Sequence, residues 1–269
     1  MALYSNTLAV VRQYLGGAVG DLILATAANG GSVSFTDTML RKGEDYYNDH
    51  GYRGYCYEGD AIGQEREVSD FVASGSTVTF DPAFSPVIAN GDKFELHYIF
   101  TEGDFRRAIN LAIESLAGKY LVDIKDESTI TLSADTYEYA LPLSMLYLER
   151  VITEETAGGG VFEAAGEVDP RDYYIIKSYP PKLKLHEGRY AISAGKDLRL
   201  EGQGTQALVD DDSDIIFLPP DWVVQKAITF LPQNKIQSNK LDGVFRRALL
   251  ISADEPSNWP DPRSQRVVE

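Results

Sequence analysis

The segment VDDDSDIIFLPPDW carries four aspartates within five positions, and carboxylate oxygens are the ligands that calcium prefers. Asp210, Asp212 and Asp214 have the alternating spacing of the first ligands in an EF-hand loop. That loop also needs a glycine at its middle and a glutamate at its end, where this chain has Ile215 and Asp221. Because the glycine is absent and an apolar strand replaces the turn, the sequence favours a solvated turn. It predicts no metal ligand, no cofactor and no catalytic residue.

Two glycine-containing stretches partly match nucleotide-binding motifs. Gly202-x-Gly204-x-x-Ala207 has the spacing of the dinucleotide fingerprint, which works only where a helix begins at the glycines and offers its N–H groups to a pyrophosphate. The residues that follow are too few and too acidic for such a helix. Gly195-Lys196 lacks the preceding glycine and the following Ser or Thr of a P-loop. Neither stretch predicts a nucleotide site.

The three histidines, His50, His97 and His186, are isolated from one another in sequence. His97 and His186 lie in strand-like segments, and we expect both to occupy outward polar positions. Cys56 is the only cysteine, which excludes an intrachain disulfide and a multi-cysteine zinc site. A nucleophilic pair of Cys56 and His50 is conceivable, but a small, partly buried apolar side chain is the favoured interpretation.

Five tyrosines crowd the stretch YYNDHGYRGYCY, and they are Tyr46, Tyr47, Tyr52, Tyr55 and Tyr57. Tyrosine is enriched at interfaces because its ring supplies contact area and its hydroxyl a polar tip. One interpretation is therefore a contact loop for protein or glycan, with Tyr52 and Tyr55 as candidate interface residues. The favoured alternative is a hairpin with aromatic cross-strand pairs.

The C-terminal stretch SADEPSNWPDPRSQRVVE has three prolines and no periodicity, which predicts an extended tail. Trp259 in such a segment is a candidate anchor for a pocket on a partner. Arg263 and Arg266 are candidate contacts for acidic patches on a neighbour, and Arg246 and Arg247 complete the candidate interface. A frayed terminus is the alternative interpretation.

The elements that would position these residues are interspersed along the chain. The stretches SVSFT, STVTF and DKFELHYIF alternate apolar and polar residues, which predicts strands separated by glycine, aspartate and asparagine turns. In the third stretch Phe94 and Leu96 share one face, while Glu95 and His97 share the other. Residues 32–100 are therefore expected to form an inserted small β-sandwich or barrel module. Further short strands up to residue 218 predict an antiparallel meander.

Helical patterns occupy the remaining stretches. Thr101 and Asp104 have the spacing of a capping box at the start of the clearest predicted helix. Its apolar stripe recurs at helical spacing through Phe105, Ala108, Ile109, Ala112, Ile113 and Leu116. Residues 5–28 predict helix broken by Gly16-Gly17, and a helical hairpin begins at Pro220, where the missing N–H of a first helical residue is harmless.

Together these elements predict an α+β fold. Its helical core consists of a long central helix plus a C-terminal helical hairpin, accompanied by the antiparallel β meander, the inserted β module and the extended C-terminal tail. The predicted domains are a core of residues 1–31 and 101–251, the β module of residues 32–100 and the tail of residues 252–269.

The charge balance narrows the function classes. The chain has 41 acidic and 25 basic residues, a formal net charge of −16. Such a surface is a poor non-specific ligand for nucleic acid, because phosphate binding depends on Lys and Arg. The longest apolar runs span only a few residues, so no membrane segment is predicted.

Three stretches resemble the head-to-tail adaptor, or connector, proteins of tailed bacteriophages. STVTFDPAFSPVIANGDKFEL is similar to β segments of phage neck and tail proteins, and FTEGDFRRAINLAIESLAGKYLVD resembles the adaptor helix that begins a new unit. ADTYEYALPLSMLYLERVITE, followed by LRLEGQGTQALVDDDSDIIFLPPDWVVQKAITFL, resembles the strand-to-helix ending of an adaptor. These stretches span most of residues 77–251.

The resemblance implies a structural virion protein without catalytic activity, located in the neck after assembly in the host cytoplasm. It implies a homo-oligomeric, dodecameric ring docked under the portal protein, in contact with a downstream tail or neck protein. DNA would pass through the ring without specific binding, and no membrane is involved. The alternatives are another neck or tail-completion protein, such as a stopper or terminator, and a carbohydrate-binding or glycoside-hydrolase module suggested by the tyrosines and carboxylates.

Overall fold

A computed structural model of the protein describes residues 4–267, which divide into two compact units. We call Tyr4–Ser115 with Leu208–Glu255 the helix–sheet unit, and Leu116–Ala207 with the segment from Pro256 onward the sheet unit. The domain division expected from the sequence stays a prediction. That division includes residues 1–3 and 268–269, which lie outside the described part of the chain.

The helices and strands are numbered in chain order. The helices are α1 (Leu8–Val19), α2 (Tyr46–Asp49), α3 (Glu102–Ser115), α4 (Pro220–Ile228), α5 (Gln233–Ser238) and α6 (Asp242–Ile251). The strands are β1 (Asn6–Thr7), β2 (Ile23–Thr26), β3 (Ser34–Thr36), β4 (Arg53–Glu58), β5 (Glu65–Val72), β6 (Thr77–Asp81), β7 (Lys93–His97), β8 (Val122–Thr131), β9 (Glu138–Ala140), β10 (Met145–Thr153), β11 (Tyr173–Ile176), β12 (Lys182–Leu185), β13 (Asp197–Gly204), β14 (Ile215–Ile216) and β15 (Gln265–Arg266).

The predicted helical core is wrong, because strands occupy more of the described chain than helices do. The fold is built on several antiparallel sheets, and α3 is one 14-residue helix among others rather than a long central one. The C-terminal hairpin is instead three helices, since the polar stretch after Pro232 forms α5. The physical reason is that a short strand gives only a weak signal along the sequence, and its pairing with distant strands decides whether it joins a sheet.

The helix–sheet unit contains a six-stranded antiparallel sheet in the order β2-β7-β4-β5-β6-β3. It begins at β2, where the sequence predicted a continuation of the first helix. The sheet curls, because Ala28, just after edge strand β2, and Thr36, the last residue of edge strand β3, exchange backbone hydrogen bonds of 2.8 Å in both directions. Phe35 and Phe94 stack with ring centroids 4.6 Å apart at the core of this sheet.

Local signals explain where the helices of this unit begin and end. Thr101 Oγ1 accepts from the N–H of Asp104, and Asp104 Oδ2 accepts from the N–H of Thr101, both at 3.1 Å. This reciprocal pair confirms the capping box at the start of α3. The predicted break at Gly16 is wrong, because α1 continues to Val19 and ends at Gly20, whose φ of 74° suits a glycine.

The helices of this unit pack on one another and leave little of α6 buried. α1 contacts α3 and α4, α3 contacts α4, and α4 contacts α6. The predicted apolar stripe of α3 is buried throughout, which confirms its orientation. In α6 only Ala248 is buried, so most of this helix faces outward.

The sheet unit contains two antiparallel sheets, one in the order β15-β10-β13-β8 and the other in the order β11-β12-β9. Its core includes Met145, Leu148, Leu183 and Leu200. The C-terminal segment contributes to this core, because β15 pairs with β10 and Val267 is fully buried.

Candidate functional site

The aspartate segment forms a turn directly before β14 in the helix–sheet unit. Asp214 Oδ2 accepts from the backbone N–H groups of Asp210 at 2.7 Å and Asp211 at 2.9 Å. These two hydrogen bonds lower the pKa of Asp214 and close the turn. Asp210 is exposed and forms an ion pair with Arg106 of α3.

Asp212 departs from the predicted solvated turn, because its side chain is buried. Its carboxylate pairs with the guanidinium of Arg12 from α1, and the hydroxyl of Tyr55 donates to Asp212 Oδ2 at 2.9 Å. Tyr55 also lies under Arg12, with the guanidinium carbon 4.5 Å from the ring centroid. The aspartate segment is therefore fastened to α1 and β4 through one side chain.

Arg12 is the centre of a buried ionic cluster, which we call the Arg12 network: Arg12, Glu95, Glu102 and Asp212. Arg12 is 0% exposed and donates to both oxygens of Glu95, at 2.7 Å and 3.2 Å, in a bidentate arrangement. Glu102 Oε1 lies 3.6 Å from the same guanidinium. His97 contributes a ring nitrogen 3.2 Å from Glu95 Oε2.

The prediction that His97 points outward is wrong, and Glu95 on the same face is buried as well. β7 is buried on both faces, since the curled sheet and the helices cover it. Burial disfavours the charged form of Glu95, but hydrogen bonds from His97 and the charge of Arg12 dominate and hold its pKa below the usual range. The polar alternation of β7 therefore marks an internal ion pair rather than a solvent face.

Glu102 behaves differently from Glu95. Burial raises its pKa, and the charges of Arg106, 3.4 Å away, and Arg12 only partly oppose this effect. Glu102 borders a cavity of about 360 Å³ that Tyr55 and the aspartate segment also line. A buried carboxyl with a raised pKa that borders a cavity is a candidate functional group.

The other candidate residues from the sequence have packing roles in the structure. Across residues 4–267 no group of three or more His, Cys, Asp or Glu side chains is placed to hold a metal ion. Gly202 and Gly204 lie within β13, where a Cβ would come within 2.1 Å and 1.9 Å of a backbone oxygen of the neighbouring chain segment. Close strand approach therefore accounts for both glycines. Cys56 is fully buried, which raises its pKa to about 12, helped by the charge of Asp92.

The tyrosine-rich stretch forms part of the core rather than an exposed loop. Tyr46 and Tyr47 lie in the short helix α2, and the ring of Tyr52 meets that of Tyr47 edge-on at 5.2 Å. Tyr52 and Tyr55 are each only 7% exposed. Neither of these two candidate interface residues presents its ring at the surface of this chain. Tyr55 lies in the hairpin of β4 and β5, where it pairs with Glu65 rather than with an aromatic residue.

The C-terminal segment presents Trp259, which is 90% exposed. The residues beside it are fixed to the sheet unit. The Asn258 amide exchanges hydrogen bonds with the backbone of Leu121 at 2.6 Å and 2.7 Å, and the N–H of Asp261 donates to Gln203 at 2.9 Å. We call residues 256–267 the docking segment. Its backbone is held on both sides of an indole that contacts solvent, which differs from a frayed terminus.

The arginine candidates are also exposed at the surface. Arg263 lies 3.9 Å from Glu149 and 3.5 Å from Asp261, while Arg266 lies in β15. Arg246 and Arg247 lie on the outward part of α6. The structure thus places one group of candidates on the docking segment and the other on α6.

Sequence reasoning missed Arg12, which organises the interior of the helix–sheet unit. A signal was present, because Arg12 follows Leu8 by four residues and lies on the same helical face as Leu8 and Leu15. A charged residue in an apolar stripe is buried only where it is paired. Its partners are 83 and 200 residues away in sequence, so periodicity does not reveal them.

No family model, curated protein or solved structure matches this chain. Function is therefore inferred from the residues of this chain rather than from a relative. Over the described residues, none of the helices has the length and apolar character needed to cross a bilayer.

Proposed function

We propose that the protein is a structural component of a tailed-phage virion, a head-to-tail adaptor whose copies assemble between the portal and the tail. The observation that supports this most is Trp259, an exposed anchor on a segment whose backbone is already fixed. A large aromatic side chain held in place before binding loses little conformational entropy when a partner covers it. Such an arrangement suits assembly more directly than it suits catalysis.

The charge supports the same proposal. With a net charge of −16, the surface does not retain DNA phosphates, which is a useful property in a channel through which DNA slides. The sheet-rich fold differs from the helical core that the sequence pattern predicted. The proposal therefore rests on the docking segment and the charge, not on the architecture.

The test uses the full-length protein with the portal of the same phage. Electron microscopy of the mixture, with native mass spectrometry, is expected to reveal a closed ring of uniform stoichiometry on the portal. A gel-shift titration with duplex DNA at low salt is expected to show no retention of DNA. A protein that stays monomeric and does not bind the portal would refute the adaptor function.

A second candidate function has one specific observation in its favour. Glu102, whose pKa is raised by burial, shares a cavity with Asp210 and Asp212, and glycoside hydrolysis uses a pair of carboxyl groups. Chromogenic glycosides would test it. Hydrolysis that Glu102→Gln abolishes, while substitution of the exposed Glu114 of the same helix by glutamine retains it, would favour an enzyme over an adaptor.

A further inference from the structure

The helices of the helix–sheet unit line an open, mainly apolar cavity of about 510 Å³, which we call the helix pocket. It is lined by Tyr14, Pro219, Asp221, Trp222, Val224, Gln225 and Ile251. Tyr14 from α1 and Ile251 from α6 form part of its wall and are 54% and 44% exposed. The pocket therefore opens to solvent between apolar side chains, with room for a bicyclic aromatic ring.

The apolar surface continues beyond the pocket along α6. Leu249 and Leu250 are 47% and 79% exposed and adjoin Ile251. Three consecutive exposed aliphatic residues at the end of a helix indicate an apolar surface that a partner covers. The pocket wall also contains Trp222. Within the described residues, the buried indole nitrogen of Trp222 has no hydrogen-bond partner.

We propose that the helix pocket of one copy receives Trp259 from the docking segment of a second copy of this chain. The two features complement each other in shape, because one is a fixed, exposed indole and the other an open apolar cavity. Charge agrees as well. Asp221 in the pocket wall is exposed, and the side chain of Arg263, four residues after Trp259 on the docking segment, is 82% exposed.

This contact joins two different surfaces, so it is heterologous and repeats from copy to copy. Each added copy offers a fresh pocket and a fresh Trp259, and the series ends only where rotation closes a ring. The inference takes up the docking segment of the proposed function and names its partner as another copy. It also explains why the Trp259 side chain has no apolar cover of its own despite the anchored backbone around it.

The experiment measures assembly by sedimentation velocity for the full-length chain and two variants. Trp259→Ala removes the anchor, and Ile251→Glu puts a charge in the pocket wall. Each variant alone is expected to remain monomeric where the parent assembles. Tyr179→Ala is the control for the first and Met39→Glu for the second, because both residues are exposed, at 90% and 69%, and lie outside the proposed contact. Both controls are expected to assemble like the parent.

Mixing the two variants gives the sharper result. The Trp259→Ala chain keeps its pocket and the Ile251→Glu chain keeps its indole, so the mixture is expected to form a one-to-one dimer and nothing larger. Circular dichroism of each variant establishes that it is folded. A parent that stays monomeric with Trp259 exposed, or shields Trp259 independently of concentration by docking within its own chain, would overturn the contact. So would assembly of Trp259→Ala at the parent's level, or a mixture that gives no dimer.

The outcomes separate the two proposals. Assembly through this contact without portal binding would keep the inference and contradict the adaptor function. Portal binding with Trp259 still exposed to a collisional quencher would do the reverse.

Discussion

Replacing Arg12 with methionine should destabilise the helix–sheet unit more than any surface substitution. The change leaves Glu95, which is fully buried, and the buried Asp212 carboxylate without their shared cation. Breaking a buried ion pair by removing one partner costs about 3–5 kcal/mol. Glu95 keeps hydrogen bonds from His97 at 3.2 Å and Gln13 at 3.1 Å, so we expect a loss near the lower bound, about 3 kcal/mol.

The two tryptophans allow this unit to be followed separately. Trp222 belongs to the helix–sheet unit and is 7% exposed, whereas Trp259 belongs to the sheet unit. In a Trp259→Phe background, the fluorescence of Trp222 during urea titration reports on the helix–sheet unit. The free energy of unfolding extrapolated to water then gives the effect of Arg12→Met.

Arg53→Met is the matched control, because Arg53 pairs with the exposed Glu67 in the same unit. Exposed ion pairs contribute about 0–1 kcal/mol, so this control should barely move the urea midpoint. The double variant Arg12→Met with Glu95→Gln should recover part of the loss, since it removes one stranded charge. If Arg12→Met costs no more than the control, Arg12 does not hold the interior together and the reasoning fails.

Four further predictions concern other residues of the interior. The pKa of Glu95 is lowered on folding, so its contribution is present above its ordinary value of 4.5 and lost as pH falls through the folded value; Glu95→Gln should flatten the acid side of the stability profile. The pKa of Glu102 is raised, so Glu102→Gln should leave stability at pH 7 unchanged or slightly higher, and a clear loss would contradict its protonation preference. Gly204→Ala should lower the melting temperature by forcing strands apart, at a cost of about 2–3 kcal/mol, while Gly243→Ala in α6 meets no neighbour and should be neutral or stabilising. Cys56 should react with a thiol reagent only on unfolding, and rapid labelling of the native protein would refute its burial.

Local chemistry made part of the fold predictable. The capping box at Thr101 and the stripe that follows needed only residues within a few positions of one another. The helix start at Pro220 was likewise set by its missing N–H. By contrast, β2 lies in a stretch for which a helix was predicted. The local sequence does not reveal this strand, because Ile23–Thr26 pairs only with β7, some seventy residues later.

Long-range packing determines whether two candidate interface residues, Tyr55 and Trp259, are buried or exposed. Tyr55 lies in a cluster that composition links with interfaces, yet its ring is covered and its hydroxyl donates to Asp212. Trp259 has the opposite environment, since the docking segment pairs with a sheet and its indole is nevertheless exposed to solvent. Nothing in the residues adjacent to either aromatic side chain distinguishes these outcomes.

The sequence by itself determined the charge of −16, the single thiol, the capping box of α3 and the lack of an EF-hand glycine after the aspartates, because each depends on residue type and short spacing. Only the tertiary structure decided that Asp212 turns inward to Arg12, that His97 is buried, and that the docking segment is fixed around an exposed Trp259. Those outcomes depend on groups far apart in the chain. A buried charge is tolerated only where folding brings its partner to it.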